Sequence, residues 1–509
     1  MKPPEIKYLV GNALEVLTTL PDGMVQTVAT SPPYWSLRDY DSPMTIWGDK
    51  EGCRHKWGKS LKIHQGGKNG SSAVMEGRDQ SARNAVRDRK AGQFCRSCGA
   101  WKGALGLEPT PELYVEHIVE IFREIKRVLR KDGTVWLNLG DCYAGSGGMG
   151  SFISRKQKKG LKVMDNYHRS KTIEGVKPKD LVGIPWRVAF GLQSDGWHLR
   201  KDIIWNKTNV MPESVTDRPT SAHEYIFLFS QEQDYFYDAI AIQEPCVTPM
   251  DDKSAHALGT IGGKMAQLGS DRLKGKDWIK QPFKNKRDVW TVTTKPYAAA
   301  HFATFPPDLI EPCILAGSSE RGMCPTCGAP WKRVVEKQYL KPAKRVQDLQ
   351  GDWLGTSKSR KPGNMNSGTY PTGMFPKTIG WYPTCECYGV PELPQYPRPP
   401  KRDASVLERQ KYQDTYEAIK RERALLVCNC AEMESVPCWV LDPFAGSGTT
   451  SMVSRKNGRS SVGIDINPNY RKLASTRAEV DTPPLDNFGG DEDEQIHDRD
   501  GEEGKANGN

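Results

Sequence analysis

The chain has 509 residues, 37% of them hydrophobic, which is enough for one large core with inserted modules. Its net charge of +10 favours a polyanionic partner, although a charged surface also serves solubility. No apolar run approaches the roughly 20 residues of a membrane span, and the start MKPPEIKYLV lacks a signal-peptide core, so we expect a cytoplasmic protein with no membrane partner.

Strand-like apolar runs alternate with amphipathic helical stretches along the chain. A core-facing helix is predicted over 111–130, where apolar residues recur at three- and four-residue spacing. Such alternation is typical of an α/β domain with a mostly parallel sheet. The seven predicted strands are YLVGNA (8–13), QTVATSPP (26–33), GTVWLNLG (133–140), KDIIWNK (201–207), EYIFLFS (224–230), CWVLDPF (438–444) and SSVGIDI (460–466).

The second of these runs ends in Ser31-Pro32-Pro33-Tyr34, here called the tetrapeptide. Two prolines stop the strand's hydrogen bonding and leave oxygen acceptors at the sheet edge. Ser31 Oγ and the Pro32 carbonyl could accept both hydrogens of a nucleobase amino group and aim its lone pair at a methyl donor. Tyr34 would stack on a base turned out of its helix. The alternative is a structural Pro-rich turn.

Two groups of cysteine and histidine have the spacing of closed tetrahedral zinc sites. The first group is Cys53, His55, Cys95 and Cys98. The second is Cys324, Cys327, Cys385 and Cys387, for which Cys428, Cys430 and Cys438 are possible substitutes. Four protein ligands leave no open position for chemistry, so we expect two structural zinc ions.

The run VLDPFAGSGTT (440–450) predicts a strand that enters a glycine turn. Gly446 and Gly448 allow close approach of a ligand, and Asp465, 19 residues past Gly446, could accept hydrogen bonds from both ribose hydroxyls. An adenosine-containing cofactor is therefore expected. NAD is the competing ligand, but a third glycine is missing and Asp442 would repel a pyrophosphate. That carboxylate suits the cationic methionine end of S-adenosylmethionine.

Together these motifs resemble the β class of S-adenosylmethionine-dependent amino-group DNA methyltransferases, of phage or bacterial type, with zinc-binding insertions. In that class SPPY precedes the target-recognition region and the cofactor turn lies near the C-terminus. The resemblance covers most of residues 5–480. It implies a seven-stranded Rossmann-like sheet of order 3-2-1-4-5-7-6, with an antiparallel seventh strand, in a circularly permuted chain order. It also implies a set of cofactor-binding residues: Asn12 near the adenine, Phe302 and Phe305 near the methionine, and Phe444 and Thr449 beside the glycines.

The resemblance implies transfer of a methyl group to cytosine N4 in duplex DNA, because serine at the first tetrapeptide position usually accompanies cytosine. Adenine N6 is the alternative acceptor. Two further alternatives are an enzyme of this fold acting on RNA or protein, and a non-catalytic zinc-bearing DNA-binding protein with a relict core. A cognate restriction endonuclease is a possible partner besides double-stranded DNA.

DNA phosphates could contact the basic stretch 58–94, the segment 206–219 or the stretch 264–287.

The motifs divide the chain into eight predicted segments. The segments are the start of the catalytic domain (1–52), a zinc-binding basic insertion (53–100), the continued catalytic domain (101–242), a target-recognition region (243–292), a cofactor-side motif (293–316), a zinc-ribbon-like insertion (317–437), the cofactor turn with the ribose-binding strand (438–480) and a disordered acidic tail (481–509).

Overall fold

The structure is a computed structural model that describes residues 2–37, 42–62, 90–144, 176–245, 283–295, 304–339, 374–400, 404–430 and 432–478. Several predictions fall outside the described residues. These are the cofactor contact of Phe302, most of the basic stretch 58–94, most of the target-recognition region and the acidic tail.

Strands and helices are numbered in chain order. The strands are β1 (Ile6–Val10), β2 (Val25–Thr30), β3 (Thr45–Trp47), β4 (Leu61–Lys62), β5 (Lys90–Phe94), β6 (Trp101–Gly103), β7 (Leu129–Leu139), β8 (His198–Asn206), β9 (His223–Ser230), β10 (Glu244–Pro245), β11 (Phe283–Lys284), β12 (Val289–Thr291), β13 (Trp331–Tyr339), β14 (Met374–Pro383), β15 (Trp439–Asp442) and β16 (Ser460–Asp465). The α-helices are α1 (Ala13–Thr18), α2 (Pro111–Val128), α3 (Ile184–Ser194), α4 (Pro307–Gly317), α5 (Val406–Asn429), α6 (Thr449–Lys456) and α7 (Asn469–Ala478), and short 3-10 helices span Ala239–Ile242 and Glu386–Tyr388.

The main sheet has the strand order β1-β16-β15-β2-β7-β9-β8-β12. Strand β9 runs in the opposite direction to the other seven strands of this sheet, because it pairs antiparallel with both β7 and β8. All seven predicted strands are present, and their order is the 3-2-1-4-5-7-6 order that the resemblance implies. The eighth strand, β12, corrects the expectation of seven, because it pairs in parallel with β8 from within the segment assigned to target recognition. The description of the chain as circularly permuted stays a prediction.

Helices cover both faces of the main sheet. On one face α2 and α3 share a core cluster with α1, and on the other face α4 and α6 share a second cluster. The predicted helix at 111–130 is confirmed as α2. Thr110 caps its N-terminus by accepting a hydrogen bond from Leu113 N, and Pro111 starts it. All six residues of β2 are buried, as expected for a central strand covered on both sides.

The two predicted insertions have small sheets of their own. Strands β3, β6, β5 and β4 form a four-stranded sheet, in which β4 and β5 lie near the two ends of the basic stretch 58–94. In the second insertion β13 and β14 pair antiparallel, and α5 packs against them. No helix among the described residues combines the length and the apolar character that a membrane crossing requires.

Candidate active site

The tetrapeptide and the glycine turn meet at one edge of the main sheet. Strand β2 ends at the tetrapeptide and pairs in parallel with β15, which ends at the glycine turn. On the other side of β15 lies β16, which ends at Asp465. The carboxyl ends of parallel strands are where this architecture binds ligands.

The glycine turn is shaped by two left-handed residues. Gly446 has φ +49°, and nothing among the described residues lies within 4 Å of where a Cβ would be. Gly448 has φ +75°, and a Cβ there would lie 2.7 Å from the Cβ of Ala474 in α7. Gly446 therefore borders open space that a ligand could use, whereas Gly448 lets α7 approach closely. Tyr8 Oη donates to the Gly446 carbonyl at 2.7 Å and fixes the turn to β1.

Asp465 faces the glycine turn. Its Oδ2 accepts a hydrogen bond from Gly446 N and its Oδ1 one from Asn467 N, both at 2.8 Å. Burial raises the pKa of this carboxyl. Each oxygen keeps a lone pair for another donor, so the predicted ribose contact is compatible with this arrangement and stays a prediction. Asn12 lies near, since Gly11 N donates to the Asp465 carbonyl, but its side chain caps α1 by accepting from Leu14 N.

Asp442 has a different environment from the one expected of a methionine contact. It is 1% exposed, and burial raises its pKa to about 6. Thr30 Oγ1 donates to Oδ1 at 2.6 Å, and Thr450 Oγ1 donates to Oδ2 at 2.7 Å. Phe444 N also donates to Oδ1, at 3.1 Å. The carboxyl thus ties β15 to β2 and to α6, and its contact with a cofactor stays a prediction.

The remaining predicted cofactor residues are distributed over the core. Phe444 is half-buried and packs against the core cluster of α2 and α3. Phe305, just before α4, packs against the cluster on the opposite face. Thr449 is buried as the first residue of α6. Their contacts with a ligand stay predictions.

The tetrapeptide is held by hydrogen bonds on two sides. Ser31 Oγ donates to Tyr34 Oη at 3.2 Å. Tyr34 Oη in turn lies 2.8 Å from Glu224 Oε2 and 2.9 Å from Asn138 Oδ1. A Cβ at Gly140 would lie 2.6 Å from the Tyr34 ring, so this glycine makes room for the tyrosine.

Glu224, Asn138 and Lys207 form a polar group behind Tyr34 that the sequence analysis did not identify. Asn138 is 1% exposed and donates to Glu224 Oε2 at 3.2 Å and to the Tyr225 carbonyl at 3.0 Å. Lys207 Nζ forms an ion pair with Glu224 Oε1, and both side chains are less than one-fifth exposed. The available signal was that Asn138 and Glu224 lie in two of the predicted strands next to apolar residues, where a polar side chain needs a partner.

This arrangement orients the hydroxyl of Ser31. A serine hydroxyl carries one hydrogen, which here points to Tyr34, so the lone pairs of Ser31 Oγ are left to accept an incoming N–H. Glu224 pairs with Lys207 through Oε1 and lies within hydrogen-bond distance of Tyr34 Oη through Oε2. A series of hydrogen bonds therefore leads from Ser31 through Tyr34 to the carboxylate of Glu224.

The chain matches the family model described as DNA methylase (N6_N4_Mtase) over residues 25–324 and 435–476, which is more than half of its length. It belongs to this DNA methylase family. Membership identifies the chain as a DNA methyltransferase and confirms the resemblance to amino-group methyltransferases. The unmatched residues 325–434 lie within the segment predicted as the second insertion.

Curated relatives of this methylase are Type II methyltransferases. M.XycI of Xanthomonas campestris pv. cyanopsidis is 39% identical over 312 residues, which cover 61% of this chain and 72% of that protein. M.SfiI of Streptomyces fimbriatus is 26% identical over 494 residues, which cover 92% of this chain and 89% of the relative. Among solved structures, PvuII DNA methyltransferase, described as cytosine-N4-specific, aligns with 12% identity and a TM-score of 0.38, covering 96% of this chain and 91% of that one.

Both predicted zinc-ligand sets of the methylase are clustered in space. In each set the ligand atoms lie within 4.8 Å of one another; the sets are Cys53, His55, Cys95 and Cys98, and Cys324, Cys327, Cys385 and Cys387. With Zn–S bonds of about 2.3 Å, tetrahedral thiolates are about 3.8 Å apart, so the donors and spacing fit zinc. The substitutes Cys430 and Cys438 are buried elsewhere in the core, outside the second cluster.

The two clusters are built on the same local turn. In the first, Cys95 N donates to the Ala100 carbonyl and Gly99 N to the Cys95 carbonyl. The second repeats this pattern with Cys324, Gly328 and Ala329. His55 Nε2 also lies 3.1 Å from Asp49 Oδ1, the carboxylate contact typical of a metal-bound imidazole. These features favour metal binding over isolated buried thiols.

Proposed function

We propose that this DNA methyltransferase transfers a methyl group from S-adenosylmethionine to the N4 amino group of cytosine in duplex DNA, at a specific recognition site. The observation that carries the proposal is the orientation of Ser31, whose hydroxyl hydrogen is directed to Tyr34 and whose lone pairs are left at the carboxyl edge of the sheet. An amino group is a donor, and it needs acceptors at that edge.

The residues of the chain hold and polarise the amino group. S-adenosylmethionine, when bound, supplies a methyl group whose carbon–sulfur bond breaks with its electron pair going to sulfur as the amino nitrogen forms its new bond. Ser31 Oγ and the Pro32 carbonyl accept the two N–H hydrogens, which localises the lone pair on nitrogen. The hydrogen bonds from Ser31 through Tyr34 to Glu224 offer a route by which the released proton can leave.

The cofactor would lie along the glycine turn. Gly446 borders open space and follows β15, which is adjacent to the tetrapeptide strand β2; Asp465 keeps lone pairs beside it at the end of β16, on the other side of β15. Residues at this turn would hold the adenosine, with Asp465 on the ribose hydroxyls and Asn12 near the adenine. Phe305, Phe444 and Thr449 would complete the cofactor site.

Cytosine is proposed as the acceptor base because Ser31 occupies the first tetrapeptide position. Adenine N6 is the second candidate, since it too is an amino group beside a ring nitrogen and could make the same two hydrogen bonds. The Type II methyltransferases similar to this chain favour a restriction-modification role in the bacterial cytoplasm, with a cognate endonuclease as partner. Two zinc ions are proposed for the cysteine clusters.

Transfer of a labelled methyl group to duplex DNA tests the proposal. Purified full-length chain is incubated with S-adenosylmethionine carrying a tritiated methyl group and with genomic DNA, RNA or protein. The DNA is then digested to nucleosides and separated. We expect label in DNA alone, as N4-methylcytosine. Label in N6-methyladenine would make adenine, not cytosine, the acceptor base. Label in RNA or protein would overturn the assignment of DNA as the substrate.

The variant Ser31→Ala tests the role of the tetrapeptide. Loss of one preorganised hydrogen bond raises the barrier by about 2 to 4 kcal/mol, so single-turnover methylation should fall about thirtyfold to a thousandfold. S-adenosylmethionine affinity should stay unchanged. Ser405→Ala, which removes an exposed hydroxyl at the start of α5, is the matched control with parental activity. A parental rate for Ser31→Ala would make the tetrapeptide a structural turn.

A further inference from the structure

The small sheet of β3, β6, β5 and β4, together with the first cysteine–histidine cluster, is here called the metal-ligand module. The turn at residues 104–108, here called the buttress turn, joins this module to the main domain. It leads from β6 of the small sheet towards α2. The turn also holds the residues directly after the tetrapeptide. The Gly106 carbonyl accepts a hydrogen bond from Ser36 N at 2.8 Å, and the Glu108 carbonyl accepts one from Trp35 Nε1 at 3.0 Å.

Gly106 is in close contact with the tetrapeptide itself. It has φ +89°, and a Cβ there would lie 3.2 Å from both Pro33 Cβ and the Tyr34 carbonyl oxygen. On the same side, Tyr114 of α2 donates its hydroxyl to the Pro33 carbonyl at 2.9 Å. A shift of the buttress turn would therefore be transmitted directly to the tetrapeptide.

One buried carboxylate fixes the buttress turn. Glu108 is 2% exposed; its Oε2 accepts a hydrogen bond from Gly106 N at 2.8 Å, and its Oε1 lies 2.9 Å from His117 Nδ1. His117 is itself 4% exposed in α2. A buried carboxylate with this pairing is held in one position, because leaving either partner unsatisfied costs free energy.

His117 also contacts the metal-ligand module. Its ring stacks on Trp47 and Trp101 at centroid distances of 4.4 and 5.2 Å. These tryptophans are opposite each other on β3 and β6 of the small sheet. The segment between Cys98 and Trp101 is two residues long, so the position of the cluster determines the position of the stacked rings.

We propose that the first zinc cluster has a positioning function in methyl transfer. The bound ion fixes the small sheet, the stacked tryptophans fix His117, and Glu108 transmits this position through the buttress turn to the tetrapeptide. Glu108 and His117 are positioning residues, since neither reaches the reacting atoms. This inference rests on the proposed function for its activity measurement, while its structural measurement does not depend on it.

The test compares one ligand substitution in each cluster of the full-length protein. Cys98→Ser disrupts the first cluster, and Cys327→Ser is the matched control in the second. Each variant should lose about one zinc ion per chain. Only Cys98→Ser should lose hydrogen-exchange protection in the peptide 31–37, where Ser36 N bonds to the buttress turn. Its single-turnover rate should fall tenfold to about a hundredfold, the effect of misplacing a catalytic group by about 1 Å. Affinity for S-adenosylmethionine should stay unchanged.

Two substitutions of Glu108 test whether this residue connects the first cluster to the tetrapeptide, and they leave the metal ligands unchanged. They also test the positioning role if Cys98→Ser does not fold. Glu108→Ala should keep both zinc ions, lose protection at 31–37 and lose rate. Glu108→Gln retains an acceptor for Gly106 N and should rescue both. Parental exchange in Glu108→Ala, or equal loss in Cys327→Ser, would overturn the inference. If the parent transfers no methyl group, the proposed function fails, and the exchange data still decide the positioning role.

Discussion

Replacing Asp442 by asparagine should stabilise the protein at neutral pH. The carboxyl is buried, and its two oxygens accept hydrogen bonds from Thr30 and Thr450. Asparagine has nearly the same shape. Its oxygen can still accept from Thr30, and its amide can donate to Thr450, whose hydroxyl also reaches the Ala29 carbonyl. The substitution therefore removes a buried charge while keeping the hydrogen bonds.

The size of the effect follows from the pKa of Asp442, which burial raises from 3.8 to about 6. Between these values the folded protein holds a proton that the unfolded chain has released. The stability from the neutral carboxyl is complete below pH 3.8 and is lost as the pH rises through 6. The loss reaches about 3 kcal/mol above pH 6.5 at 1.36 kcal/mol per pKa unit, and about half of it occurs between pH 5 and 7.5.

Urea unfolding of the parent and Asp442→Asn at pH 5.0 and 7.5 measures this difference. The stability advantage of the variant should grow by about 1 to 1.5 kcal/mol between the two pH values. An advantage that does not change with pH would refute the account of a buried, titrating carboxyl. Calorimetry on the same variant tests cofactor binding. A loss of tenfold or more in S-adenosylmethionine affinity would support the predicted contact of Asp442 with the methionine end, whereas an affinity within about threefold of the parent would contradict it.

Three further predictions concern the cofactor turn and the metals. Asp465→Ala should raise the calorimetric dissociation constant for S-adenosylmethionine at least tenfold, because a ribose contact to a carboxylate contributes about 1.5 to 3 kcal/mol; an unchanged constant would remove the residue from the site. Gly448→Ala should lower the free energy of unfolding by about 1 to 3 kcal/mol in urea, since the added Cβ meets Ala474 at a positive φ. Chelation with a colorimetric zinc assay should release about two ions from the parent and about one from Cys385→Ser, whereas Cys430→Ser should match the parent.

The main strands of the sheet could be predicted because each of them has a recognisable pattern in its own sequence. Short apolar runs with turn residues after them indicate buried parallel strands, and the resemblance supplies their order. Strand β12 could not be found in this way. It is three residues long and only Trp290 within it is buried, so its pairing with β8 depends on tertiary packing rather than on its own sequence.

The residues of the candidate site were predictable only where they form a motif. The tetrapeptide is contiguous, so a role for it can be predicted from the sequence alone. Asn138 and Glu224 lie on different strands, and they meet because β7 and β9 are antiparallel with Asn138 opposite Ile226. Lys207 joins them because it directly follows β8, next to β9. Register of this kind is a property of the assembled sheet. The same holds for Glu108 and His117.

Both cations of segment 206–219 have carboxylate partners, which weakens the prediction that this segment contacts DNA. Lys207 is engaged with Glu224, and Arg218 forms an ion pair with Glu213 at 2.6 Å. A cation with a carboxylate partner has less charge to offer a phosphate. Phosphate contact by this segment stays a prediction, and the positive excess of the chain must be sought on other surfaces as well.

Asp442 holds together two motifs that are far apart in the sequence. Thr30 and Asp442 are separated by 412 positions, yet one hydrogen bond joins the residue before the tetrapeptide to the residue that starts the glycine turn. Burial makes this bond costly to break, because either partner would be left unsatisfied away from water. The distance between the acceptor Ser31 and the cofactor turn is therefore set by a buried polar contact between adjacent strands. Because methyl transfer requires the amino nitrogen and the methyl carbon to approach within a few ångströms, we expect this contact to contribute to the proposed reaction by positioning the two motifs.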